Sequence, residues 1–493
     1  MGSFDIFCIV AVLPAVCLIV LLVRRLWSWS NSASGSRIME AISSTMMLSE
    51  VDPLLGAQVH IVTVMTFVEK LRFVDFRERF VENVIMTDCD SRFLDRMDCS
   101  GSFPVWTRAS EWHPFDNCRS VGGVQDMVAV QSLVNRRLVE PLDVKAPPWE
   151  VCFLESVSRP DGSTGSGVIL TMHHSMGDGF TLCHQLMRRC ASADPQLSMQ
   201  QCYPFQAPLK RGRSVLAGFG DIPGILSAAV KLLLLTPDPV SALRNSTTRR
   251  MTDPMVCEMA ELPLSVAQLK ELAGKVTHEK ITLNDLVVAA CSSALGDLLK
   301  TRHDVTGAIW VGLNRRSPLE RPLRRTEDWG NQNLGVCYMP LPTGESDISK
   351  ILTKSHHRLA QLKNSPEPLV ANKLMKLIGS IPQAISRPLR HILMDKMSTS
   401  ISNFPGPLYP IKIPVAPDGL PNKQLAGVGT LKEVFFLVAP PFSYGPYITL
   451  VSYAGKMYLA VSVAEKLMSQ ETVTDLVKRR IPKAFEHIAN DLT

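Results

Sequence analysis

Two adjacent histidines, His173 and His174, precede Ser175-Met176-Gly177-Asp178-Gly179, and the string has the form HHxxxDG. An imidazole titrates near neutral pH, so a neutral histidine positioned in a channel can take the proton of an alcohol as the oxygen attacks an acyl group. His174 is the candidate general base, and His173 supports it. Asp178, four residues on, completes the catalytic motif by turning back toward the backbone or an arginine and holding the loop in shape. Gly177 and Gly179 permit backbone angles or close approaches that a side chain would forbid.

The chain contains its own control. A second pair, His356-His357, has Gln361 where the aspartate would stand and no glycine nearby, so it is expected on a surface helix. A zinc reading of His173 and His174 is weak, because strand neighbours point to opposite faces and no nearby carboxylates or thiols complete a tetrahedron. No metal is expected. A serine nucleophile would need an exposed elbow, and the chain has no G-x-S-x-G string. Direct transfer is therefore favoured.

The elements that must position this string can be read outward from it. Val151 to Val157 and Val168 to Met172 have strand patterning, with Arg159 to Gly167 as a polar, glycine-rich connection, and His173 stands where the second strand ends. Phe180 to Cys190 has helical spacing after the Gly-Asp-Gly turn. Val59 to Phe67 reads as a strand and Phe73 to Ile85 as a helix. Further on, Leu283 to Leu299 is helix-like, Ala308 to Leu313 is strand-like, and Thr430 to Val438 and Tyr447 to Val463 are β-rich. Arg315 or Arg316, just after Leu313, is the expected partner of Asp178.

At 493 residues the chain exceeds a single core, and the interleaved pattern predicts an α/β protein of two lobes. The predicted divisions are a membrane anchor at 1–30, an N-terminal lobe at 40–195, a linker at 196–255 and a C-terminal lobe at 256–493. The linker contains the apolar stretch Ile225 to Leu235, too short to span a bilayer and expected to pack on the lobes, with an interfacial segment touching lipid as the alternative. Ile6 to Val23 is an apolar run of 18 residues followed by Arg24, Arg25, Trp27 and Trp29, which predicts an N-terminal transmembrane helix with the bulk of the chain on the cytosolic side.

Composition agrees with an apolar substrate. The chain is 46% hydrophobic and 20% charged, and the mean hydropathy is +0.10. A net charge of +6 spread along the chain excludes nucleic acid as the expected partner. Twelve cysteines without a C-x-x-C pair read as buried free thiols rather than a disulfide scaffold or zinc site.

These residues resemble the wax ester synthase/diacylglycerol acyltransferase family, particularly its plant-type branch, over roughly residues 40 to 490. Besides HHxxxDG, the resemblance rests on Pro141-Leu142-Asp143 through Pro148-Trp149-Glu150, on Thr282-Leu283-Asn284-Asp285, on Trp329-Gly330-Asn331 and on Ser402-Asn403-Phe404-Pro405-Gly406-Pro407. It implies two chloramphenicol acetyltransferase-like lobes with a channel between them, and His174 as the catalytic histidine. Asn284, Asp285 and Asn403 map onto family motifs as substrate-site or structural residues, the latter as helix-cap and turn positions. The implied reaction joins a long-chain acyl-CoA to a fatty alcohol or a diacylglycerol, with acyl-CoA as cosubstrate and no cofactor. The implied location is the endoplasmic reticulum membrane, with the plasma membrane as alternative.

Two other readings compete. One is a BAHD-like or condensation-type acyltransferase; the BAHD string DFGWG is absent, and no carrier domain accompanies the motif. The other is a lipid-binding protein without catalysis, against which the intact His174 and Asp178 argue.

Overall fold

The computed structural model describes residues 22, 36–47, 59–86, 92–159, 161–178, 222–244, 253–276, 279–312, 334–394, 396–415, 427–439 and 445–492. The predicted membrane anchor apart from Leu22, the helix expected at Phe180 to Cys190, Gly179, Arg315 and Arg316 lie outside these residues. Among the described residues no helix is long and apolar enough to cross a membrane.

The described strands are β1 Arg37–Ile38, β2 His60–Phe67, β3 Asp95–Asp98, β4 Val105–Arg108, β5 Cys118–Asp126, β6 Trp149–Ser158, β7 Thr164–His173, β8 Met255–Glu261, β9 Val305–Gly312, β10 Leu334–Leu341, β11 Thr399–Pro405, β12 Lys412–Val415, β13 Gly427–Val438, β14 Tyr447–Tyr453 and β15 Lys456–Ala464. The α-helices are α1 Ala41–Thr45, α2 Phe73–Phe80, α3 Met127–Arg137, α4 Ile222–Leu234, α5 Val266–Lys275, α6 Leu283–Leu299, α7 Ile348–Asn364, α8 Glu367–Ser380, α9 Gln383–Met394, α10 Gln470–Asp475 and α11 Ile481–Asp491. A π-helical turn, Val81–Ile85, continues α2.

Two six-stranded sheets organise the chain, in the orders β12-β13-β2-β7-β6-β5 and β10-β9-β11-β14-β15-β8, and β1, β4 and β3 form a small third sheet. Two large apolar cores form: one gathers the first sheet and also takes in Cys257, Tyr447, Val451 and Tyr458 of the second, and the other lies on the second sheet. β2 is buried along all but Met65, which explains its nearly continuous apolar run: both of its faces are covered. α6 starts at a capping box in which Asp285 accepts from the backbone N–H and hydroxyl of Thr282, at 2.7 and 2.8 Å. It ends at Lys300, whose φ of 49° is left-handed.

Hydrogen bonding redraws the predicted lobes. β13 pairs with β2, from Leu431 opposite Phe67 to Val438 opposite Ile61, so a segment assigned to the C-terminal lobe completes the N-terminal sheet. Local patterning identifies a strand but cannot say which sheet receives it, because that pairing spans more than 360 residues. The connection predicted at Arg159 to Gly167 is also shorter than expected, since β7 already begins at Thr164. Glycine misled there: a Cβ at Gly165 would land on the Phe67 carbonyl oxygen and one at Gly167 would press on Val157. Those glycines mark close strand approach rather than a loop. The apolar stretch in the predicted linker forms α4, which packs as expected: Leu232 is buried in the second core, and Lys231 pairs with Glu367 of α8 at 2.7 Å.

Candidate active site

β7 brings His173 and His174 to the end of the first sheet, where the chain turns into a short 3-10 segment, His174–Met176. The two rings then do different things, because the strand ends between them. His173 is fully buried, and its Nδ1 accepts the backbone N–H of Ser175 at 3.1 Å. An acceptor nitrogen carries no proton, so the neutral ring holds its hydrogen on Nε2. Its edge meets His60, the residue opposite it on β2, at 6.2 Å between centroids. His173 fastens the turn.

His174 is anchored through its backbone N–H, which donates to the Val59 carbonyl at 2.8 Å, and its side chain lines a narrow cavity. Both sheets contribute to the walls. Val59 and Val438 come from the first sheet's end; Trp310, Tyr338 and Tyr447 come from the second. Helix α8 closes one side with Ala371, Leu374, Met375 and Ile378. Among the described lining residues, His174 is the one imidazole. Burial pushes the Tyr338 and Tyr447 phenols well above their ordinary range, so both stay protonated.

Trp310 was not singled out by sequence reasoning, although its strand was. Its indole stacks on the His174 ring, with centroids 6.3 Å apart and planes 28° from parallel, and its Nε1–H donates to the Ser400 hydroxyl at 2.7 Å. The Tyr447 ring lies 6.2 Å from the indole. Arg92 was missed as well. It is 1% exposed, forms an ion pair with Glu40 and donates to the Met176 carbonyl at 3.2 Å, so it braces the turn that carries His174. Trp106 donates to the same Glu40 at 3.2 Å. Burial, more than any neighbouring charge, lowers the Arg92 guanidinium to about 10.

The remaining predicted positions divide. Asp178 follows the turn and is half-buried. Asn284 and Asn403 meet, the Asn403 amide donating to the Asn284 side-chain oxygen, and so tie the start of α6 to β11. Neither lines the cavity. Asp285 is buried at the head of α6, where it also binds the His356 ring at 3.0 Å. The second histidine pair therefore departs from expectation: His357 is exposed and pairs with Glu279, but His356 turns inward to the cap. Helical spacing put the pair on α7 without saying which residue would face α6. Among the described residues no cluster of three or more metal-ligating side chains occurs, and Cys118, Cys152, Cys257, Cys291 and Cys337 are buried free thiols.

Residues 329–482 match the family of WS/DGAT C-terminal domains. A candidate diacylglycerol O-acyltransferase of Mycobacterium bovis is 23% identical over 301 residues, which are 56% of this chain and 58% of that protein. A second, from Mycobacterium tuberculosis, is 26% identical over 213 residues, covering 38% of this chain and 40% of that protein. The match thus spans less than two thirds of either relative. The fold is shared with the wax ester synthase/diacylglycerol acyltransferase of Marinobacter aquaeolei VT8, at a TM-score of 0.54 and 16% identity over 91% of this chain and 97% of that one. It is equally shared with the first condensation domain of the calcium-dependent antibiotic synthetase, at 0.59 and 14% identity over 92% and 96%. The resemblance read from the motifs is matched by a family model over residues 329–482, and over most of the chain the solved structures share the fold alone.

Proposed function

We propose that this chain, whose residues 329–482 are a WS/DGAT C-terminal domain, is an acyl-CoA-dependent O-acyltransferase that esterifies a lipophilic alcohol, either a fatty alcohol or a diacylglycerol. The observation that carries this reading is the placement of His174 in an otherwise largely apolar cavity between the two sheets. The base meets its substrate where aliphatic chains are stabilised by burial and water is kept out.

In this mechanism neutral His174 takes the alcohol proton as the oxygen attacks the thioester carbonyl. The tetrahedral adduct collapses, the carbon–sulfur bond breaks, and the departing thiolate recovers the proton from the imidazolium, leaving ester and free CoA. The face of Trp310 favours the imidazolium formed midway. The chain's own residues perform the transfer, with acyl-CoA as cosubstrate. A condensation-type reaction is the weaker reading, since the fold is common to both classes and the family match at 329–482 favours the ester-forming one. The proposed location is the endoplasmic reticulum membrane with the lobes cytosolic, supported by the apolar run Ile6 to Val23 and the arginines after it.

The test is a microsomal assay with labelled palmitoyl-CoA, offering hexadecanol and diacylglycerol separately, for wild type and His174→Ala. Labelled wax ester or triacylglycerol that falls by about 10²–10⁴-fold in the variant is expected. Equal activity in both proteins, or none with either alcohol, refutes the proposal.

A further inference from the structure

Helices α4, α8 and α9 pack side by side, with α8 in contact with both of the others. All three contribute cavity wall: Leu232 from α4, Ala371 and Ile378 among others from α8, and Arg390 from α9. Their opposite faces are unusual for a soluble surface.

α9 is inverted. Gln383, Ser386 and Arg390 are buried at helical spacing, while Ile385 and Leu389, one turn apart, are 58% and 39% exposed, with Ala384 and Pro388 exposed beside them. Polar groups face the protein and apolar ones face outward, the reverse of the usual amphipathic arrangement. On α4 the outward stripe is Ser227, Val230, Lys231 and Leu234, of which Leu234 is 72% exposed. On α8 it is Leu369, Lys373 and Lys376, at the i, i+4 and i+7 positions, opposite the face that lines the cavity.

Charge on this layer has one sign. Among the described residues of the three helices the one acidic side chain is Glu367, which is buried and paired with Lys231. Lys376 is held below its ordinary value by burial and then by the nearby Lys373, a repulsion that an anion would relieve.

From these faces we propose that the outer surface of α4, α8 and α9 docks on an anionic lipid bilayer, with Ile385, Leu389 and Leu234 entering the apolar boundary and Lys373 and Lys376 meeting headgroup phosphates. Scattered exposed apolar residues need no explanation, but an inverted helix flanked by apolar and basic stripes matches the composition of an interfacial surface. The same helices carry the cavity on their inner faces, so a lipophilic substrate passes from bilayer to His174 through one helical layer. That last step rests on the acyltransferase reading; the docking does not.

The experiment uses the full chain with vesicles of phosphatidylcholine, alone or mixed with phosphatidylserine. The polarity-sensitive label NBD is attached through Ile385→Cys and, as control, through Val128→Cys on α3, each compared with the unsubstituted chain labelled on its native thiols. A blue shift at position 385 and not at 128, larger with phosphatidylserine and reduced several-fold by Lys373→Glu with Lys376→Glu, is expected. The probe reads local immersion, so attachment by the N-terminal segment alone leaves both positions equal and overturns the proposal. A shift at 385 that needs no vesicles and grows with protein concentration also overturns it, in favour of a second copy of this chain. Ile385→Glu with Leu389→Glu is then assayed on alcohol embedded in vesicles and in detergent micelles. Loss confined to vesicles supports docking, and equal loss in both overturns substrate access through this face. Docking by a wild-type chain that turns over no alcohol would support the surface and refute the acyltransferase reading.

Discussion

The His174 imidazole and the Trp310 indole stack across the junction of the two sheets, one at the end of β7 and the other on β9. The contact fixes the plane of the His174 ring and presents an aromatic face to the imidazolium that the proposed transfer would form. Trp310→Leu is expected to lower kcat by about tenfold with KM little changed, and Trp310→Phe to restore most of that loss. A loss that falls on KM alone would make Trp310 a packing residue only.

Arg92 and Glu40 hold the turn from behind. Removing one member of a buried pair leaves the other charged and without compensation, which costs about 3–5 kcal/mol. Arg92→Ala should therefore lower the urea midpoint strongly, because Glu40 is largely buried between Arg92 and Trp106. Arg92→Met with Glu40→Gln should recover a large part of that loss in stability, yet not activity, because no donor then reaches the Met176 carbonyl. A single variant as stable as wild type would contradict this account.

The HHxxxDG string was legible because its pattern is local: two histidines, an aspartate and glycines within seven residues, following a strand that β7 bears out. The strands at 60–67 and 149–158 and the helix at 283–299 were legible for a similar reason, since each writes its own periodicity. What surrounds His174 was not. Trp310 lies 136 positions later, Arg92 82 positions earlier, and neither residue type announces a neighbour at that distance. Tertiary pairing of β13 with β2 is hidden in the same way. Glycines at 165 and 167 misled because close strand packing and a turn ask for the same residue.

Ala371 offers a test of what the cavity measures. It is 4% exposed on the inner face of α8, and a larger side chain there projects into the space that the proposed reaction assigns to an aliphatic chain. A hydrophobic pocket discriminates one methylene by about 1–3 kcal/mol, so a filled wall acts on the longest substrates first. Ala371→Leu should lower kcat/KM for long acyl-CoA or long alcohol by about tenfold or more while sparing shorter ones, in a chain-length series at constant substrate concentration. A uniform loss across the series would mean that the helix had shifted rather than that the cavity had shortened.

Buried thiols set the alkaline limit of stability. Burial pushes Cys118, Cys291 and Cys337 up to about 12, from an ordinary value of 9.0. In the unfolded chain these groups ionise as pH passes 9.0, whereas in the folded chain they stay protonated until about 12. The unfolded state then binds fewer protons, so stability is full below the unfolded value and falls as pH rises across that window, on the order of 1 kcal/mol per pH unit for each thiol. Urea midpoints should decline between about pH 9 and pH 11, less steeply in Cys291→Ala, which leaves helix α6 intact and removes one titrating group. Thiol-reactive dye at pH near 8 should label the half-buried Cys99 before these three, which should react only on unfolding. Midpoints that hold level, or rise, with pH through the window would show that these thiols ionise as readily in the folded chain as in the unfolded one.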